Sequence, residues 1–557
     1  MTTQEIKSRY FQGARRKETW SGILLKTVYT PEDIKGIDYA TSIGDPGVYP
    51  YKRGIYNDMY RGRLWSQRQI TGCPTPKMTN ERLRYLLSTG ESAINIIGDQ
   101  PTQIGIDSDH PWAEGSVGRV GVPVNTMEDM RQILDGIPLD QVSTMLTLVT
   151  PIALPSYMVL AEEQGIAPSE LRATSPMVPP VLGAPVCMYG GREWWFDMAK
   201  RQMKEFIDKL EYMNEKYPKI YVANYNAYNI RETGVGAAEE VAWIFANAFE
   251  GLKLITERGV DIDAVAPKIS ITFSVMVDIF EEAAKFRAAR AIWARTLREK
   301  FGAKDPRSLA LKYHVNTAGI IMERQQATIN VIRAAYAALA AVLGGTQSLQ
   351  VASYDEPIAI PTEEAATLAV RTQQILANET GVATVADPLA GSYYVESLTG
   401  QLEEKIQKIL DTIEEKGGMA AAIYSGYIDR EMEAAWFKYQ KEVEAKERIV
   451  VGVNEFTIPE EQDADVAVYL SNVDFALVQR HIENLKEFKR KRNQAKVKEA
   501  LENLLHITEN EAPDVCVCEY EKECCKAGCT TGEVNGVKRM GIGLPYDPLG
   551  VLEYPFS

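Results

Sequence analysis

The stretch YVANYNAYNIRETG, residues 221–234, is the segment from which we interpret the fold. Its first half is rich in aromatic and β-branched residues, as buried strands are. It predicts a strand that delivers Asn226, Asn229, Arg231 and Glu232 to its carboxyl end, just before a helix begins. Ligands bind at that edge in parallel α/β folds. Standing alone, such a stretch is more simply a solvated strand end, but other strands along the chain repeat the pattern.

Short β-rich runs alternate with long amphipathic helical patterns from Ser92 onward, which is typical of a parallel sheet. The predicted strands are Ala93–Gly98, Val142–Val149, Met177–Leu182, Ile220–Tyr228, Ala264–Ser274, Leu311–Thr317 and Gln347–Ser353, with an eighth around Val382–Ala386. The predicted helices include Arg192–Lys216, Ala237–Arg258, Asp278–Phe301, Arg324–Leu343 and Glu363–Thr380. About eight such units favour a closed barrel over an open sheet. The predicted fold class is therefore α/β, a (β/α)8 TIM barrel.

The sequence predicts three parts. Residues 1–55 are polar and lack sustained periodicity, which indicates an extended arm laid on a partner subunit or on the body of the protein. Residues 56–400 form the predicted barrel, closed by the segment that begins at Asp387. Residues 401–557 form a predicted C-terminal helical region, which includes a long Lys- and Arg-rich helix over 478–505.

Composition narrows the possible partners. The chain has 557 residues, of which 45% are hydrophobic and 25% charged, as in ordinary globular proteins. Its net charge of -15 argues against a nucleic acid or an anionic membrane as partner. No apolar run reaches the roughly 18 residues that a membrane span needs, and the N-terminus lacks an apolar export core. We therefore expect a cytoplasmic protein.

Five of the seven cysteines lie between Cys516 and Cys529, in the pattern C-x-C-x5-C-C-x3-C. This pattern differs from the paired C-x2-C spacings of zinc ribbons. A helical or turn segment with reduced thiols is the simpler interpretation, and a metal site is the alternative.

The catalytic motifs of several common enzyme classes are absent. The sequence has no G-x-S-x-G, Walker loop, H-E-x-x-H or dinucleotide fingerprint. Its histidines are His110, His314, His481 and His506. Acid–base hydrolysis and zinc chemistry are therefore disfavoured.

Two clusters of candidate residues remain. The first is RGIYNDMYRGRLWSQRQI, residues 53–70, whose arginines and aromatic residues suit a nucleotide phosphate and a purine. A structural basic surface is its alternative interpretation. The second is a set of polar strand ends that would converge at the carboxyl rim of a barrel: Asp107 to His110, Asn229 to Glu232, Lys268, Ser270, His314, Asn316, Asp355 and Glu356. A rim without a nucleophile and base is expected where a cofactor performs the difficult chemistry.

Seven motifs follow one another along nearly the whole chain: RGIYNDMYRGRLWSQRQI, GIDSDHPWAEGSVGRVGV, FEEAAKFRAARAIWA, LGGTQSL, DEPIAIPTEEA, RTQQIL and DPLAGSYYVESLT. Together they resemble the large subunit of the adenosylcobalamin-dependent acyl-CoA mutases, the family of methylmalonyl-CoA mutase. The resemblance implies a barrel with the pantetheine chain of coenzyme A along its axis and cobalamin at one end. It also implies radical rearrangement of the acyl group, in a lumen lined by small polar residues.

The resemblance further implies a separate small subunit. Cobalamin modules of this family carry D-x-H-x-x-G, whose histidine ligates cobalt. The residues two positions before the four histidines are Ser108, Lys312, Gln479 and Leu504, so none of them fits that motif. We therefore expect the chain to supply no metal ligand, to be inactive alone, and to form a heterodimer or heterotetramer with a cobalamin-binding subunit.

Site residues are carried over from the resemblance position by position. Those that would contact the acyl-CoA are Tyr56, Met59, Arg63, Ser66, Arg68, Ile70, Asn95, Thr174, Pro176, Asn229, Lys268 and Ser270. Those that would line the cobalamin or its adenosyl group are Gly98, Val120, Glu232, Asn316, Gly319, Glu356, Ala359 and Ile360. Glu356 is the best candidate for holding a ribose hydroxyl, since a fixed carboxylate accepts strong hydrogen bonds.

The chain departs from the family pattern in the acyl pocket. Methylmalonyl-CoA mutase has tyrosine, histidine and arginine at the catalytic positions that are Ile70, Asn229 and Lys268 here, and glutamine in place of Pro176. Asn229 can donate a hydrogen bond to a thioester carbonyl but cannot transfer a proton. The change at this position therefore removes any partial protonation by the family histidine.

The segment TSPMVPPVLGAPVCMYGG, residues 174–191, carries no charge, whereas the member that binds a free carboxylate keeps an arginine in this region. A buried carboxylate without a cation costs several kcal/mol. Methylmalonyl-CoA is therefore not the expected substrate, unless Lys268 or Arg192 reaches the acyl group.

We expect instead an acyl-CoA with a bulkier, less charged rearranging end. The wall of its pocket would contain Met177, Val178, Val181, Trp194 and Trp195, although core packing explains the tryptophans equally well. At position 70 the chain is also similar to 2-hydroxyisobutyryl-CoA mutase, which has isoleucine there. However, Ile97 lies where that enzyme has its pocket carboxylate. A mutase-like scaffold that binds acyl-CoA without turnover is the other alternative.

Overall fold

The computed structural model describes residues 18–148, 150–175, 195–459, 475–510 and 516–556, without the side chains of residues 41 and 195–204. Its centre is a ring of eight parallel chain segments. These are β1 (Ser66–Gln67 and Ile70–Thr71), β2 (Ala93–Ile97), β3 (Ser143–Thr147), β4 (Ala173–Thr174), β5 (Ile220–Tyr221 and Ala223–Asn226), β6 (Ile269–Val275), β7 (Tyr313–Thr317) and β8 (Ser348–Gln350).

Two of these segments join two five-stranded sheets into one ring. The first half of β1 pairs with β8 and its second half with β2. In the same way, the first half of β5 pairs with β4 and its second half with β6. The remaining neighbours pair in chain order, and every pairing is parallel. This is the strand order of a (β/α)8 barrel, and the predicted fold class is confirmed.

Each barrel strand is followed by a long helix. The helices are α1 (Pro76–Ser88), α2 (Met127–Leu134), α3 (Ala153–Glu163), α4 (Trp195–Lys216), α5 (Ala237–Glu257), α6 (Ile279–Glu299), α7 (Asn330–Leu343) and α8 (Glu363–Asn378). Several begin at residues suited to capping. Asp278 accepts the N–H of Glu281 in α6, and Thr362 accepts the N–H of Ala365 in α8.

Two predicted strands differ from the structure. Residues Val382–Ala386 form turns and bends, so the prediction of an eighth strand there is wrong. The ring is completed by β1 instead, whose sequence SQRQIT has too few apolar residues to indicate a strand. The strand predicted from Ala264 begins only at Ile269, because residues 262–268 form short helices. The strand predicted at Met177–Leu182 lies outside the described residues.

Strand β6 illustrates how the sequence determines the two faces of the barrel wall. Ile269, Ile271, Phe273 and Val275 are buried on the side of the helices, and alternate residues point into the lumen. The Phe273 ring lies edge-on to Phe286 of α6 and to Tyr313 of β7, each at 5.8 Å between centroids. Burial of an apolar side chain of this size contributes about 1.5–3 kcal/mol. The apolar core therefore lies between the barrel and its helices.

The described part of the N-terminal segment, residues 18–55, lies on the helices of its own barrel. Ser21 donates its N–H to Glu281 of α6 at 2.9 Å. Arg290, also on α6, donates Nε–H to the carbonyl of Tyr51 at 2.7 Å. This part of the predicted arm packs on the body of the protein, and its contact with a partner subunit stays a prediction.

The C-terminal region contains α9 (Tyr393–Glu415), α10 (Met419–Tyr424), α11 (Tyr427–Glu444), α12 (Phe475–Lys491), α13 (Gln494–Asn510), α14 (Val517–Ala527) and α15 (Thr531–Gly541). The long helix predicted over 478–505 is thus two helices, which break near Arg492. The segment that begins at Asp387 leads into α9 and does not contribute a barrel strand. None of the described helices has the length and apolar composition that a membrane crossing requires.

The described cysteines of the C-terminal cluster are free thiols that pack in this region. Cys518, Cys524, Cys525 and Cys529 are buried, and Cys516 is half-buried. Cys525 lies 3.4 Å from the hydroxyl of Ser156 in α3. Among the described residues, no group of three or more potential metal ligands is arranged around a common point. The cluster therefore contributes to packing between the barrel and the C-terminal helices.

Candidate functional site

The inner face of the barrel is lined mainly by small polar side chains. The residues on this face are Ser66, Arg68, Ile70, Asn95, Ser143, Met145, Thr147, Thr174, Tyr221, Asn224, Asn226, Ser270, Thr272, Ser274, His314, Asn316, Ser348 and Gln350. Most barrels of this kind are filled by bulky branched residues. Here Thr174, Ser270 and Ser348 remain partly accessible within the ring. The polar lumen expected from the sequence is present.

Lumen side chains form hydrogen bonds across neighbouring strands. Asn224 donates from Nδ2 to the Ser270 hydroxyl at 2.9 Å and accepts at Oδ1 from the Thr272 hydroxyl at 3.0 Å. On the other side of the ring, Asn95 accepts from the Thr147 hydroxyl at 2.6 Å. These layers of the lumen are therefore polar but uncharged, as a passage for amide and thioester groups requires.

Arg68 is a buried cation within this neutral lumen. Its Nη2 donates to the Ser143 hydroxyl at 2.9 Å, while Nε has no partner among the described residues. Burial lowers the pKa of Arg68 to about 10, an effect that the nearby Glu91 partly opposes. No described carboxylate forms an ion pair with this guanidinium. Arg68 can therefore donate further hydrogen bonds to an acceptor-rich ligand.

His314 lies in the lumen between Ser348 and Asn316. Its Nδ1 is 2.8 Å from the Ser348 hydroxyl, and its Nε2 is 2.7 Å from Oδ1 of Asn316. Burial and, secondarily, the charge of Arg68 lower the pKa of His314 to about 3. The imidazole is therefore neutral near pH 7, so that His314 organises hydrogen bonds and cannot act as an acid.

Cations gather at the amino end of the barrel. Lys268 and Lys312 immediately precede β6 and β7, and their Nζ atoms lie 5.1 Å and 5.6 Å from the centroid of the Tyr221 ring. Burial, together with Lys312 and Arg307, lowers the pKa of Lys268. No carboxylate in the described ranges pairs with either lysine. The amino end therefore offers positive charge beside an aromatic ring, although Asp305, which pairs with Arg307, also interacts with Lys312 through its charge.

This position corrects the expectation for Lys268. The sequence predicted Lys268 among the polar residues of the carboxyl rim, and the resemblance to the mutases implied a catalytic position for it. In the structure β6 begins after Lys268, whose Nζ donates to the carbonyl of Pro218 at the opposite end of the barrel. Lys268 therefore lies far from Glu232 and Glu356 along the barrel axis.

Two further predicted residues lie at the amino end. Tyr56 is 47% exposed. Partial burial raises the pKa of its hydroxyl, the charge of Arg63 lowers it, and Tyr221 raises it. Arg63 is exposed. Met59 instead belongs to the core: it is 5% exposed, and a Cβ at Gly345 would lie 3.2 Å from its Cε. Of the predicted basic cluster, Tyr56 and Arg63 thus remain available to a ligand at this end, in addition to Arg68 within the lumen.

Glu232 is held at the carboxyl end, beyond β5. Its carboxylate accepts the backbone N–H groups of Gly319 and Ile320, at 3.0 Å and 2.7 Å. Burial raises its pKa to about 7, against the effect of these two donors. A Cβ at Gly319 would lie 3.0 Å from Oε2 of Glu232, so the close approach of this loop to the carboxylate depends on glycine.

Glu356 lies at the same end, in the loop after β8. Its carboxylate accepts the N–H of Ser353 at 2.8 Å and lies 3.4 Å from Nε2 of Gln350. Burial raises its pKa to about 7, with contributions from Asp355 and Glu232. Tyr228 lies near both carboxyls, since its pKa is raised by burial and then by Glu232 and Glu356. The rim thus carries two carboxyl groups that each titrate near neutral pH.

The other residues predicted at this end follow barrel strands. Gly98 comes directly after β2, and a Cβ there would lie 2.9 Å from Cγ2 of Thr102. Val120 is 61% exposed, and Ala359 and Ile360 are half-buried in the loop after β8. These positions agree with a shared edge of the barrel, while their contacts with a ligand stay a prediction.

The predicted acyl-pocket residues are only partly brought together. Ile70 and Asn95 are register partners in β1 and β2 and both face the lumen. Asn229 lies beyond β5 on the short helix Tyr228–Arg231, half-buried. Pro176 and the predicted wall of Met177, Val178, Val181 and Trp194 lie outside the described residues, and the side chain of Trp195 is not described.

One group of predicted rim residues has another role. Asp107 accepts from the Thr530 hydroxyl at 2.6 Å, and His110 lies 3.3 Å from Asp547. Lys489 is within 2.9 Å of Asp107 and 2.7 Å of Asp109. The expectation that these residues line the rim is therefore wrong, because they bind the C-terminal region instead.

The structure also reveals lumen residues that the sequence analysis did not select. They are Tyr221, Asn224, Thr147, Tyr228, Lys312 and Gln350. The signal that could have identified most of them is the alternation of polar residues with apolar ones along single strands.

Comparison with known proteins agrees with this geometry. A family model described as methylmalonyl-CoA mutase matches residues 18–543. The chain belongs to this family. It is 36% identical over 512 residues to the 2-hydroxyisobutanoyl-CoA mutase large subunit of Aquincola tertiaricarbonis, covering 92% of the chain and 89% of the relative. It is 35% identical over 529 residues to the methylmalonyl-CoA mutase of Rhizobium meliloti, covering 94% of the chain and 72% of the relative.

Members of the methylmalonyl-CoA mutase family are isomerases that depend on adenosylcobalamin. The carboxyl rim fits the adenosyl part of that cofactor. Glu232 and Glu356, both with a pKa of about 7, can accept or donate hydrogen bonds to ribose hydroxyls, and the exposed Val120 presents an apolar surface at the same end. The donor set of the site is therefore compatible with the cofactor of the family.

Proposed function

We propose that this chain is the large subunit of an acyl-CoA mutase that rearranges the carbon skeleton of a bulky, branched, or alkyl- or aryl-substituted acyl group without a free carboxylate. The observation that carries the proposal is the division of charge along the lumen. Cations without described carboxylate partners lie at the amino end, neutral hydrogen-bonding groups and the buried guanidinium of Arg68 in the middle, and carboxyl groups at the carboxyl end. A thioester with phosphates at one end and an uncharged acyl group at the other fits this division.

The phosphates of coenzyme A would bind at the amino end. Lys268 and Lys312 provide two ammonium groups without described carboxylate partners, and Arg63 and Tyr56 lie on the same side. Charge-assisted hydrogen bonds to phosphate are among the strongest in proteins. We therefore reassign Lys268 from the acyl end to the phosphate end of the ligand.

The pantetheine chain would lie along the lumen. Its amides present donors and acceptors, which match Arg68, Asn224 and Ser270. Ser66 and Thr174 face the same passage. Arg68 contributes most, because a buried guanidinium with spare donors gains more from a carbonyl acceptor than a hydrated one does.

The acyl group would lie near Ile70, Asn95 and Asn229. Asn229 can orient the thioester carbonyl through a donated hydrogen bond, and Ile70 provides an apolar contact in place of a polar one. These two residues act by positioning the acyl group, since neither can transfer a proton. Burial of the thioester in the lumen excludes water from the reacting carbons.

Charge at the rim disfavours a carboxylate-bearing acyl group. Within the described ranges, Arg231 and Lys285 are engaged by Glu240 and Glu282 behind the barrel wall. A free carboxylate near the rim would instead face Glu232 and Glu356. Like charges in a poorly solvated site repel strongly. We therefore expect methylmalonyl-CoA to be a poor substrate.

Adenosylcobalamin would bind at the carboxyl rim and supply the radical chemistry of the reaction. Glu232, Asn316 and Glu356 would hold its adenosyl group through hydrogen bonds. The positions of Gly98, Val120, Gly319, Ala359 and Ile360 would line the remaining contact. The cobalt ligand would come from a small cobalamin-binding subunit, in a heterodimer or heterotetramer, since the chain contains no D-x-H-x-x-G motif.

A second candidate substrate is a 2-hydroxyacyl-CoA of the 2-hydroxyisobutyryl type. It is supported by the similarity to a 2-hydroxyisobutanoyl-CoA mutase large subunit, of which the match covers 89%, and by Ile70. Ile97 at the rim argues against it, because an isoleucine cannot bind the substrate hydroxyl.

The test combines the purified chain with a small subunit that carries D-x-H-x-x-G, adenosylcobalamin and a panel of thioesters. The panel contains branched alkyl-, aryl-, 2-hydroxyisobutyryl- and methylmalonyl-CoA, and isomers are detected by mass spectrometry. We expect isomerisation of an uncharged branched or aryl thioester and none without the small subunit. Preferential turnover of methylmalonyl-CoA would overturn the proposed substrate class. Binding without isomerisation of any thioester would favour a non-catalytic scaffold.

A further inference from the structure

The carboxyl end of β6 extends beyond its neighbour β5. Pairing between β5 and β6 ends at Asn226 and Thr272, whereas pairing of β6 with β7 continues to Val275 and Thr317. Ser274 therefore lies past the last strand partner on one side. Its backbone N–H and carbonyl need other partners, because buried backbone groups are rarely left unpaired.

Two charged side chains take the place of the missing strand. The N–H of Ser274 donates to Oε1 of Glu240 at 2.7 Å, and its carbonyl accepts from Nζ of Lys285 at 2.6 Å. Glu240 lies on α5 and Lys285 on α6, so both outer helices reach the same residue of the barrel wall. The end of β6 is thus held by side chains where a strand would normally hold it.

Glu240 and Lys285 belong to a cluster of four fully buried charges. Nζ of Lys285 is 2.9 Å from Oε2 of Glu240 and also forms an ion pair with Glu282. Arg231 donates from Nη2 to Oε1 of Glu282 at 3.1 Å, and its Nε is 3.8 Å from Oε2 of Glu240. The side chains of all four residues are completely buried, and the two cations balance the two anions within the cluster. A further buried carboxylate, Glu281, acts on Arg231 from beside the cluster and accepts the N–H groups of Trp20 and Ser21.

This charge cluster is connected to Glu232 in two ways. Arg231 precedes Glu232 in sequence and also donates to the carbonyl of Val235, so the backbone on both sides of Glu232 is anchored. Ser274, which the cluster holds, places its hydroxyl 3.5 Å from Oε1 of Glu232. The carboxylate of Glu232 then receives the N–H groups of Gly319 and Ile320.

We propose that Arg231, Glu240, Glu282 and Lys285 are positioning residues that replace strand pairing at the end of β6 and thereby hold the Glu232 carboxylate against Gly319 and Ile320. The inference rests on the proposed function only in that Glu232 is expected to face the cofactor. Buried ion clusters often contribute no more stability than apolar residues of the same volume. The directional bonds of Glu240 and Lys285 to the backbone of Ser274 explain why charges occupy these two positions, and Arg231 and Glu282 complete the pairing of those charges.

The test measures amide hydrogen exchange at Gly319 and Ile320 in the free full-length chain. Glu232→Ala provides the reference in which these two amides have lost their acceptor. The charge-balanced double variant Glu282→Gln with Lys285→Met removes the donor to Ser274 without leaving a net buried charge. We expect its exchange at Gly319 and Ile320 to be at least tenfold faster than in the wild type, approaching the Glu232→Ala rate.

A second cluster of two cations and two carboxylates, formed by lysines and glutamates and largely buried, provides the control. Lys209 lies 2.7 Å from Glu205 and 3.0 Å from Glu521, and Lys538 lies 2.6 Å from Glu205. This cluster connects α4 to the C-terminal helices and does not contact Glu232. We expect Glu205→Gln with Lys209→Met to lower the melting temperature but to change exchange at Gly319 and Ile320 by less than twofold.

Wild-type exchange at these amides in Glu282→Gln with Lys285→Met would overturn the proposal, as would equal acceleration in the control. If the double variant does not fold, Lys285→Arg replaces it. That variant keeps all four charges but cannot place a single ammonium between Ser274 and Glu240. We expect at least threefold faster exchange at Gly319 and Ile320, and the wild-type rate would overturn the proposal.

Cofactor affinity separates this inference from the proposed function. Adenosylcobalamin is titrated against each variant in complex with the small subunit, and binding is followed by absorbance. We expect at least fivefold weaker binding for Glu232→Ala and for Glu282→Gln with Lys285→Met, and no change for the control. Accelerated exchange with unchanged affinity in both variants would refute a cofactor contact of Glu232 while supporting its positioning by the cluster.

Discussion

Glu232 raises the pKa of Glu356, although the two carboxyls follow strands β5 and β8. They influence each other because parallel strands of a barrel end at one edge, where the loops of distant segments meet. Both carboxyls have a pKa of about 7, well above the ordinary value of 4.5 for glutamate. Near neutral pH the rim therefore contains carboxylic acid as well as carboxylate.

This raised pKa predicts a decrease in stability with rising pH. The folded protein binds the Glu356 proton more tightly than the unfolded chain does, so stability decreases as pH rises from about 4.5 to about 7. Between pH 5 and 8 we expect the free energy of unfolding of the wild type to decrease by about 1–2 kcal/mol more than that of Glu356→Gln, after allowance for partial solvent access. Denaturant unfolding at several pH values measures the difference. The exposed Glu364→Gln is the control, and parallel curves for wild type and Glu356→Gln would contradict the prediction.

Lys268→Met should show whether Lys268 contacts the phosphate end or the acyl end of the substrate. If Lys268 contacts a phosphate, its loss removes one charge-assisted hydrogen bond, about 1.5–3 kcal/mol, or roughly 10- to 100-fold in affinity. The affinity for a pantetheine thioester, which lacks the nucleotide, should change less than twofold. Isothermal calorimetry with both thioesters makes the comparison, and Lys300→Met, whose ammonium pairs with Glu414 at the surface, is the control. Equal losses for the two ligands would place Lys268 at the acyl end after all.

Arg68→Met should weaken the binding of the acyl-CoA and of the pantetheine thioester to a similar extent. The guanidinium lies within the lumen, so it would contact the pantetheine part that the two ligands share. We expect about 10- to 100-fold weaker binding, as for the loss of a hydrogen bond to a charged group. The free energy of unfolding should not decrease by more than about 1 kcal/mol, because Arg68 forms no ion pair with a described carboxylate and interacts with the nearby Glu91 only through its charge. Arg490→Met, at an exposed position on α12 outside the predicted basic cluster, is the control.

Arg68→Met should also raise the pKa of His314. Arg68 is the second cause of the lowered value, after burial. The pKa should therefore move upward from about 3 while staying below the ordinary value of 6.5, because burial remains. NMR of protein with labelled histidine follows the titration. An unchanged His314 titration in Arg68→Met would contradict the electrostatic link between these two residues.

Lys489→Met should loosen the C-terminal region from the barrel. Its ammonium lies between Asp107 and Asp109 of the loop after β2, at 2.9 Å and 2.7 Å. Removing it leaves two partly buried carboxylates without their shared cation, and we expect a loss of about 2 kcal/mol in the free energy of unfolding. Lys491→Met, which breaks an exposed pair with Glu487, should cost less than about 0.5 kcal/mol. Similar losses for the two variants would contradict the role of Lys489.

The barrel was predictable because most of its strands are short apolar runs separated by long amphipathic helices. Strand β1 was the exception, since five of the six residues in SQRQIT are polar and the segment does not show an apolar period. Its role as a strand comes from its pairing with β8 and β2, two segments that are distant in sequence. The false strand at Val382–Ala386 arose from local β propensity, which tertiary context overrides.

The sequence by itself determined the alternation of polar and apolar residues in β6 and β7, the family motifs and the presence of Glu232 and Glu356 after barrel strands. These properties are local, because side-chain direction in a strand alternates with residue number. Only the tertiary structure decided that Lys268 lies at the end opposite Glu232, and that Asp107 binds Lys489 instead of facing the lumen. Such choices depend on where a strand begins and on partners hundreds of residues away, and a free energy set by distant contacts leaves no periodic trace in the sequence.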